Sequence, residues 1–292
     1  MATDGLISHI QRYSTKDGPG LRTTVFVVGC NLRCFWCSNP EAMLPEIKVM
    51  YDVKLCTKCG RCAVAVPSGS VAVTENILRM VDGCPYEAYV RSGDVVSSDM
   101  LAEKLLRDKV FYQNSGGGVT FSGGEPLLQY QFVLETARKL KENGVHVALD
   151  TAGLWDFDAV YPLLDIVDLV LFDIKAVDSS IHRRCTGVPN EQILQNANEL
   201  ARIGKPMLAR MIVVPTQNDM PDDVAARLDF IKGLGPCVQR VDILKYHGLG
   251  EGKYLQLGIE YPAAGIPACT DEAVESICEM AMDRGLVVAV GG

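Results

Sequence analysis

The chain has 292 residues, of which 48% are hydrophobic and 22% are charged, a composition typical of an ordinary soluble globular protein rather than a disordered one. Its net charge of −8 and pI near 5.1 argue against a nucleic-acid surface, because phosphate binding depends on clustered Lys and Arg. No segment approaches the roughly 18 apolar residues of a membrane helix, and the first residues lack the pattern of a signal peptide. We therefore expect a cytoplasmic protein that binds neither nucleic acid nor a membrane.

The predicted elements alternate between strands and helices. An apolar, β-branched run at 21–29 indicates a first buried strand. From residue 99 onward the predicted helices span 99–110, 130–142, 157–164, 191–203, 222–233 and 271–284, and the predicted strands span 118–122, 145–150, 168–174, 207–214, 238–244 and 286–290. Such alternation is typical of parallel βαβ units. Six strands and a candidate seventh are fewer than the eight of a closed barrel, so we expect an α/β fold with a partial (β/α)6 barrel.

Residues 50–95 interrupt this alternation, because they are rich in Cys, Gly, Pro and Val and lack a helical period. We interpret them as a small inserted domain. The barrel is then built from residues 1–49 and 96–292.

Seven of the eleven cysteines lie between Cys30 and Cys84. Without an export signal, they are expected to be metal ligands or free thiols rather than disulfides. Cys30, Cys34 and Cys37 follow the first strand with the spacing C-x3-C-x2-C. Structural zinc sites use four protein ligands, whereas a [4Fe–4S] cluster held by three thiolates leaves one iron open to another ligand. Zinc and a chance grouping are the alternatives at this point.

The stretch SGGEP, residues 122–126, follows the next predicted strand. Its glycines allow a tight backbone turn next to a ligand, and Glu125 offers a carboxylate. Active sites of such barrels are built at the carboxyl ends of the strands, which favours a functional role over a simple turn.

Together these motifs resemble those of the radical S-adenosylmethionine (SAM) enzymes. Further stretches resemble one branch, the activating enzymes of glycyl radical enzymes: DGPGLR at 17–22, SGGGVTFSGGEP at 115–126, ALDTAG at 148–153, LFDIK at 171–175, TGVPN at 186–190 and YHGLG at 246–250. The resemblance implies an anaerobic oxidoreductase that cleaves SAM reductively at the three-cysteine cluster. The resulting 5′-deoxyadenosyl radical would take a hydrogen from a glycine of a large partner enzyme.

The resemblance also implies roles for particular residues. The residues expected to line SAM are Trp36, Cys37, Ser38, Gly123, Gly124, Glu125, Asp173, Ile174, Lys175, Arg210 and His247. Asp150, Thr151, the Leu171 carbonyl and Asp173 match a site for Na⁺ or K⁺, and hard cations prefer such oxygen ligands. Asp17, Gly18, Pro19 and Gly20 are candidates for gripping the glycine segment of the partner. The alternatives are a structural charge pair for Asp173 with Lys175 and a plain glycine turn for residues 17–20.

In the predicted insert, Cys56, Cys59 and Cys62 have ferredoxin spacing, but Val66 stands where a fourth cysteine would precede Pro67. In two-cluster ferredoxins the fourth cysteine of each motif ligates the other cluster. Cys84 precedes Pro85 and can complete the set of Cys56, Cys59 and Cys62. The other cluster would need positions occupied by Val66, Thr74, Ile77 and Met80. We therefore expect a ferredoxin-like domain with one auxiliary [4Fe–4S] cluster, with zinc as the alternative.

Three cations, Lys54, Lys58 and Arg61, surround these cysteines in an otherwise acidic chain. They are either a solvated surface or a means of steering an acidic flavodoxin or ferredoxin to the cluster. We expect a monomer. Two competing functions are a radical SAM enzyme that acts on a peptide or small molecule and, in a different class, a non-catalytic iron–sulfur electron carrier or zinc-binding module.

Overall fold

The computed structural model describes residues 2–62 and 75–291. Val66, Pro67, Thr74 and the side chain of Met80 lie outside the described part. The strands are β1 Asp4–Ser14, β2 Arg22–Val27, β3 Lys48–Tyr51, β4 Tyr89–Ser92, β5 Asp94–Ser97, β6 Gly118–Gly123, β7 His146–Thr151, β8 Leu169–Asp173, β9 Met207–Val213, β10 Val238–Lys245 and β11 Val288–Val290. The helices are α1 Glu75–Asp82, α2 Ser98–Leu106, α3 Lys109–Ser115, α4 Tyr130–Glu142, α5 Phe157–Ile166, α6 Ser179–Thr186, α7 Glu191–Arg202, α8 Pro221–Gly233, α9 Glu251–Leu257 and α10 Asp271–Asp283.

Nine strands form one sheet in the order β11-β10-β9-β8-β7-β6-β2-β1-β5. The seven strands from β11 to β2 are parallel, whereas β1 runs antiparallel to β2 and β5 antiparallel to β1. The predicted α/β fold is thus confirmed, and all seven predicted strands lie in the parallel part. Because β11 and β5 are the two edges of the sheet, the barrel is open. The carboxyl ends of the parallel strands meet at one end of it.

The alternation of side chains along each strand separates two buried regions. Val170 and Phe172 of β8 pack into the large core shared with the helices. Leu169 and Leu171 point to the opposite face, where they pack with Ala148 and Leu208 in a small separate cluster. Asp150, Asp173 and Arg210 follow on this same face, at the carboxyl ends of their strands. The apolar cluster therefore closes the barrel interior below a set of charged groups.

A second, two-stranded antiparallel sheet is formed by β3 and β4. Val49 packs with Val81 of α1, and Ile77 and Tyr89 cover this small core. β5 begins two residues after β4 but pairs with the start of β1 in the large sheet. The small sheet therefore spans 48–92, close to the predicted insert of 50–95. The division into two domains stays a prediction.

The predicted helix 99–110 consists of two helices, α2 and α3, that meet at Asp108. The buried carboxylate of Asp108 accepts hydrogen bonds from Arg12 Nε at 2.7 Å and Thr23 Oγ1 at 3.2 Å, so it faces β1 and β2 at this break. The prediction also omitted β1, β3, β4, β5, α6 and α9, and it missed the helix α1 in a stretch that was expected to lack a helical period. No helix in the described ranges is long and apolar enough to cross a membrane.

Candidate functional site

A cavity of about 230 Å³ opens at the carboxyl ends of the parallel strands. Its walls come from the loop after β2, the ends of β6 to β8, and β9 and β10. The lining residues are Cys30, Leu32, Cys34, Trp36, Cys37, Ser38, Asn39, Met43, Ser122, Gly123, Gly124, Asp150, Thr151, Ala152, Asp173, Lys175, Arg210, Ile212 and Leu244. The three predicted cluster cysteines and most predicted SAM-binding residues therefore share one cavity.

The loop that carries the three cysteines is anchored at both ends by backbone hydrogen bonds. The amide of Cys30 donates to the Met43 carbonyl at 3.0 Å. On the other side, the amides of Arg33 and Phe35 donate to the carbonyls of Thr186 and Cys185 at 2.7 and 3.2 Å. The end of α6 thus supports this loop, a contact that joins residues about 150 positions apart and that the local sequence pattern did not reveal.

The sulfur atoms of two cysteines already accept backbone hydrogen bonds. Leu32 N donates to Cys30 Sγ and Asn39 N donates to Cys37 Sγ, each at 3.4 Å. Burial raises the pKa of Cys30 and Cys37 to about 11 and that of Cys34 to about 12. Half-buried thiols of this kind become thiolates when a metal coordinates them. The donor set is therefore suited to soft metal ions such as those of an iron–sulfur cluster.

Within the described residues, no three His, Cys, Asp or Glu side chains converge closely enough to hold a single metal ion. A mononuclear zinc site needs its ligands at about 2 Å from one centre. A [4Fe–4S] cluster has no such requirement, because each cysteine binds a different iron. A set of three thiolates such as Cys30, Cys34 and Cys37 is one that a [4Fe–4S] cluster can use, and the choice between a cluster and zinc stays a prediction.

The Gly-Gly turn after β6 packs directly against the cysteine loop. A Cβ on Gly123, whose φ is +106°, would lie 2.5 Å from Val27 N, and a Cβ on Gly124 would lie 2.2 Å from Gly29 O. The amides of Gly124 and Glu125 donate to the carbonyls of Val27 and Gly29 at 2.8 and 2.7 Å. Only glycine permits this approach of the two backbones. Both glycines also line the cavity.

Glu125 has a fully buried side chain and is not among the residues that line the cavity. Its carboxylate accepts hydrogen bonds from Thr151 Oγ1 at 2.8 Å, Ala152 N at 2.9 Å and Leu127 N at 3.2 Å. Burial raises the pKa of Glu125 to about 7, and the Thr151 hydroxyl opposes this rise. Glu125 therefore braces the end of β7, while its predicted contact with SAM stays a prediction.

Four charged residues form a network along one wall of the cavity. Asp173 accepts hydrogen bonds from Lys175 Nζ at 2.7 Å and from Arg210 Nε at 2.8 Å. Arg210 also pairs with Asp150, which accepts a further hydrogen bond from Ser122 Oγ at 2.6 Å. Burial acts to raise the pKa of Asp173, but Arg210 and Lys175 outweigh it and lower the value to about 2. For Asp150, burial prevails over Arg210 and raises the pKa to about 6.

The predicted site for Na⁺ or K⁺ coincides with this network. The guanidinium of Arg210 contacts both Asp150 and Asp173. The Thr151 hydroxyl donates to Glu125 and accepts from Gly153 N and Trp155 Nε1, both at 3.0 Å. Both predicted carboxylate ligands are thus already paired with a cationic side chain.

The remaining predicted SAM-binding residues differ in position. Trp36 and Ser38 line the cavity, and the Trp36 ring packs edge-on against Phe35 with centroids 4.7 Å apart. Ile174 is buried behind the wall, where its amide donates to Arg210 O at 2.8 Å. His247 is exposed and does not line the cavity. Ser122 and Asn39 line it although they were not predicted. Their positions in the sequence, next to the Gly-Gly and cysteine motifs, could have indicated that they line the cavity.

The loop at residues 17–20 is rigidly attached to the barrel wall. Asp17 accepts hydrogen bonds from Ser14 Oγ at 2.6 Å and Thr24 Oγ1 at 2.5 Å. The fully buried Arg22 donates to Pro19 O at 3.1 Å and Thr120 Oγ1 at 2.7 Å. The loop is therefore held to β1 and β2 by hydrogen bonds, and its contact with a partner stays a prediction.

Cys56, Cys59, Cys62 and Cys84 line a second cavity, of about 50 Å³. Backbone amides, with that of Tyr86 first among them, lower the pKa of Cys84. The Tyr51 hydroxyl and the amide of Lys58 lower the pKa of Cys56. The exposed side chains of Lys58 and Arg61 lie at this cavity. The structure thus brings together the four cysteines that the sequence pattern selected, and hydrogen bonds favour the thiolate form of two of them.

Comparison with known proteins agrees with this geometry. The family model "Radical SAM superfamily" matches residues 24–231. The choline trimethylamine-lyase activating enzyme of Oleidesulfovibrio alaskensis is 36% identical over 93% of this chain and 93% of its own. The isethionate sulfite-lyase activating enzyme of Nitratidesulfovibrio vulgaris is 36% identical over 89% of this chain and 90% of its own.

Among solved structures, a domain of the pyruvate-formate lyase-activating enzyme from Bacteroides vulgatus superposes with a TM-score of 0.52 at 27% identity. It covers 60% of this chain and 99% of that domain. The superfamily match spans more than half of the chain, and the similarity to activating enzymes is nearly full-length. The chain therefore belongs to the radical SAM superfamily and, within it, to the activating enzymes of glycyl radical enzymes.

Proposed function

We propose that the chain binds a [4Fe–4S] cluster through Cys30, Cys34 and Cys37 and uses it to activate one partner glycyl radical enzyme. The observation that carries this proposal is the shared cavity. Three half-buried cysteines, the Gly-Gly turn and the charged network of Asp150, Asp173, Lys175 and Arg210 all line it. Thiolate ligands and groups able to bind an amino acid moiety thus meet in one place.

When bound, the cluster would supply one electron for the reductive cleavage of SAM to methionine and a 5′-deoxyadenosyl radical, and that radical would take the α-hydrogen of the partner's glycine to leave 5′-deoxyadenosine and a glycyl radical. The chain itself would bind and orient SAM and exclude water from the cavity. Lys175 and Arg210 are suited to the SAM carboxylate, the Gly123–Gly124 backbone to its amino group, and the Trp36 ring to adenine stacking. The rigid loop at 17–20 would hold the glycine segment.

For a Na⁺ or K⁺ ion, we propose that Asp150 and Asp173 are shared between the ion and Arg210. Binding of SAM would draw Arg210 toward the substrate carboxylate and release oxygen ligands for the ion. Thr151 and the Leu171 carbonyl would complete the set. His247 does not line the cavity, so it would contact the ribose of SAM only from the outer side of the cavity wall.

For the insert, we propose an auxiliary [4Fe–4S] cluster on Cys56, Cys59, Cys62 and Cys84 in a small domain near residues 50–95. The shared cavity and the lowered pKa of Cys56 and Cys84 support it. Exposed Lys54, Lys58 and Arg61 would attract an acidic flavodoxin or ferredoxin as the electron donor. We propose that the protein acts as a monomer.

The test is anaerobic reconstitution with iron and sulfide, followed by reduction with dithionite in the presence of SAM. We expect 5′-deoxyadenosine, and a one-proton-split glycyl radical signal by EPR when choline trimethylamine-lyase or isethionate sulfite-lyase is added as the protein substrate. Cys34→Ala should abolish 5′-deoxyadenosine formation, whereas Cys278→Ala on α10 should not.

Failure of the wild type to form 5′-deoxyadenosine would favour a non-catalytic electron carrier. Its formation without a radical on either protein would favour another substrate, such as a peptide or a different lyase. Normal activity of Cys34→Ala would contradict the assignment of the first three cysteines.

A further inference from the structure

Helix α9 hydrogen-bonds to residues that flank each of the two cysteine sites in the sequence. Lys253 Nζ donates to Asn39 Oδ1 at 3.0 Å and pairs with Glu41 Oε1 at 2.6 Å. Three residues further along, Gln256 Nε2 donates to Asp52 Oδ2 at 3.2 Å. Asn39 and Glu41 come directly after the cysteine loop of the cavity, and Asp52 stands four residues before Cys56.

The segment before α9 touches the cysteine loop directly. A Cβ on Gly250 would lie 3.0 Å from Cys37 O and 3.1 Å from Ser38 Cα, so the backbones at 250 and at 37–38 are in close contact. Tyr254 is buried and packs with Tyr261, with ring centroids 4.9 Å apart. It belongs to the same apolar cluster as Trp36. Residues 246–257 therefore form the wall behind the cysteine loop.

In the ion pair of Lys253 with Glu41, the carboxylate is buried and the lysine is partly exposed. The Glu41 side chain is 4% exposed, and its Oε2 has no hydrogen-bond partner among the described residues. The other nearby lysine, Lys48, donates to the carbonyls of Glu41 and Leu44, at 3.3 and 3.2 Å. A buried carboxylate that loses its hydrogen-bonded cation is strongly destabilised. Removal of the Lys253 ammonium would therefore leave the Glu41 carboxylate buried without its cation at the contact between α9 and the cysteine loop.

We propose that Lys253 is a positioning residue for the SAM site. Lys253 does not line the cavity, but its partner Asn39 does. It acts by holding residues 246–257 against Cys37, Ser38 and Asn39, and it thereby fixes the cysteine loop in the shape that receives SAM. This inference rests on the proposed placement of SAM beside the first three cysteines.

The test measures SAM binding rather than turnover. Lys253→Met, Lys253→Arg and wild type are reconstituted anaerobically, and the Kd for SAM is determined by equilibrium dialysis without reductant. Lys253→Met should bind SAM about tenfold more weakly, as expected when a group that orients a ligand-binding residue is lost. Its iron content should be unchanged, and Lys253→Arg should recover most of the affinity. Lys139→Met is the matched control, because Lys139 is also 35% exposed and paired, with Asp99, on the distant helix α4.

A Kd for Lys253→Met within about twofold of that of the control would overturn the inference. Loss of iron in both Lys253 variants would also overturn it, because the residue would then be needed for the cluster loop to fold. If wild type itself binds no SAM, the proposed function fails, which is a different outcome from a normal Kd in the variant.

Discussion

At the scale of single residues, Glu125 shows how a motif can serve structure and function at once. The Gly-Gly part of the turn faces the cavity, whereas the glutamate points away from it and accepts three hydrogen bonds from residues 127, 151 and 152. Thr151 Oγ1 in turn accepts from Gly153 N and Trp155 Nε1. One buried carboxylate therefore organises the ends of two neighbouring strands beneath the cysteine loop.

Glu125→Ala is expected to destabilise the chain by about 3 kcal/mol, because it leaves the Thr151 hydroxyl and two amides buried without an acceptor. Guanidinium unfolding of the cluster-free protein under reducing conditions measures this change. The exposed Glu142→Ala on α4 is the control and should change the unfolding free energy by less than about 0.5 kcal/mol. Equal unfolding midpoints for the two variants would show that the hydrogen bonds of Glu125 do not stabilise the fold.

At the scale of elements, the loop between β1 and β2 packs against the turn that follows α3. Leu21 N donates to Ser115 Oγ at 2.9 Å, and Gly118 N donates to Leu21 O at 3.2 Å. Gly20 has a φ of +70°, and a Cβ there would lie 2.4 Å from Gly117 N. Gly116 has nearly the same φ, +67°, but open space around it. Alanine substitutions at these two glycines therefore distinguish the cost of backbone strain from the cost of steric contact.

Gly116→Ala should lower the unfolding free energy by about 1 kcal/mol, which is the cost of a left-handed alanine alone. Gly20→Ala should lower it by at least about 2 kcal/mol more, because neither backbone can move away from the new methyl group. It should also reduce glycyl radical formation on the partner more than formation of 5′-deoxyadenosine, if the loop holds the glycine segment. The same loss of stability in both variants would exclude the packing of these two loops as the cause.

The element scale also shows what the sequence could predict. Continuous apolar runs predicted all seven parallel strands, and helical periods adjoined six of them; both features are local. β1 was missed because polar and exposed residues interrupt its apolar ones, and α9 because it has only seven residues. The division of 99–110 into α2 and α3 involves the contacts of Asp108 with Arg12 and Thr23, which are distant in sequence. The orientation of Glu125 likewise depends on Thr151, so no local pattern could show it.

At the scale of the whole molecule, the chain has two cysteine sites with different surroundings, and α9 hydrogen-bonds to residues that flank each of them. The first site lies in the cavity at the end of the barrel, where its cysteines are half-buried and desolvation raises the pKa of all three thiols. The second is near the surface, and hydrogen bonds lower the pKa of Cys56 and Cys84. A buried site suits radical chemistry that must exclude water. An accessible site suits exchange of electrons with another protein.

Iron analysis distinguishes the two sites. If both hold [4Fe–4S] clusters, reconstituted wild type should contain about eight iron atoms per chain, and Cys84→Ala about four. Cys34→Ala should also contain about four, but only Cys84→Ala should form 5′-deoxyadenosine with dithionite as the reductant, since its first site is intact. A zinc site in the insert would instead give about four irons and one zinc in wild type, with Cys84→Ala losing only the zinc. Each variant removes one ligand from one site. Metal content and activity together therefore identify which metal group each of the two sites holds.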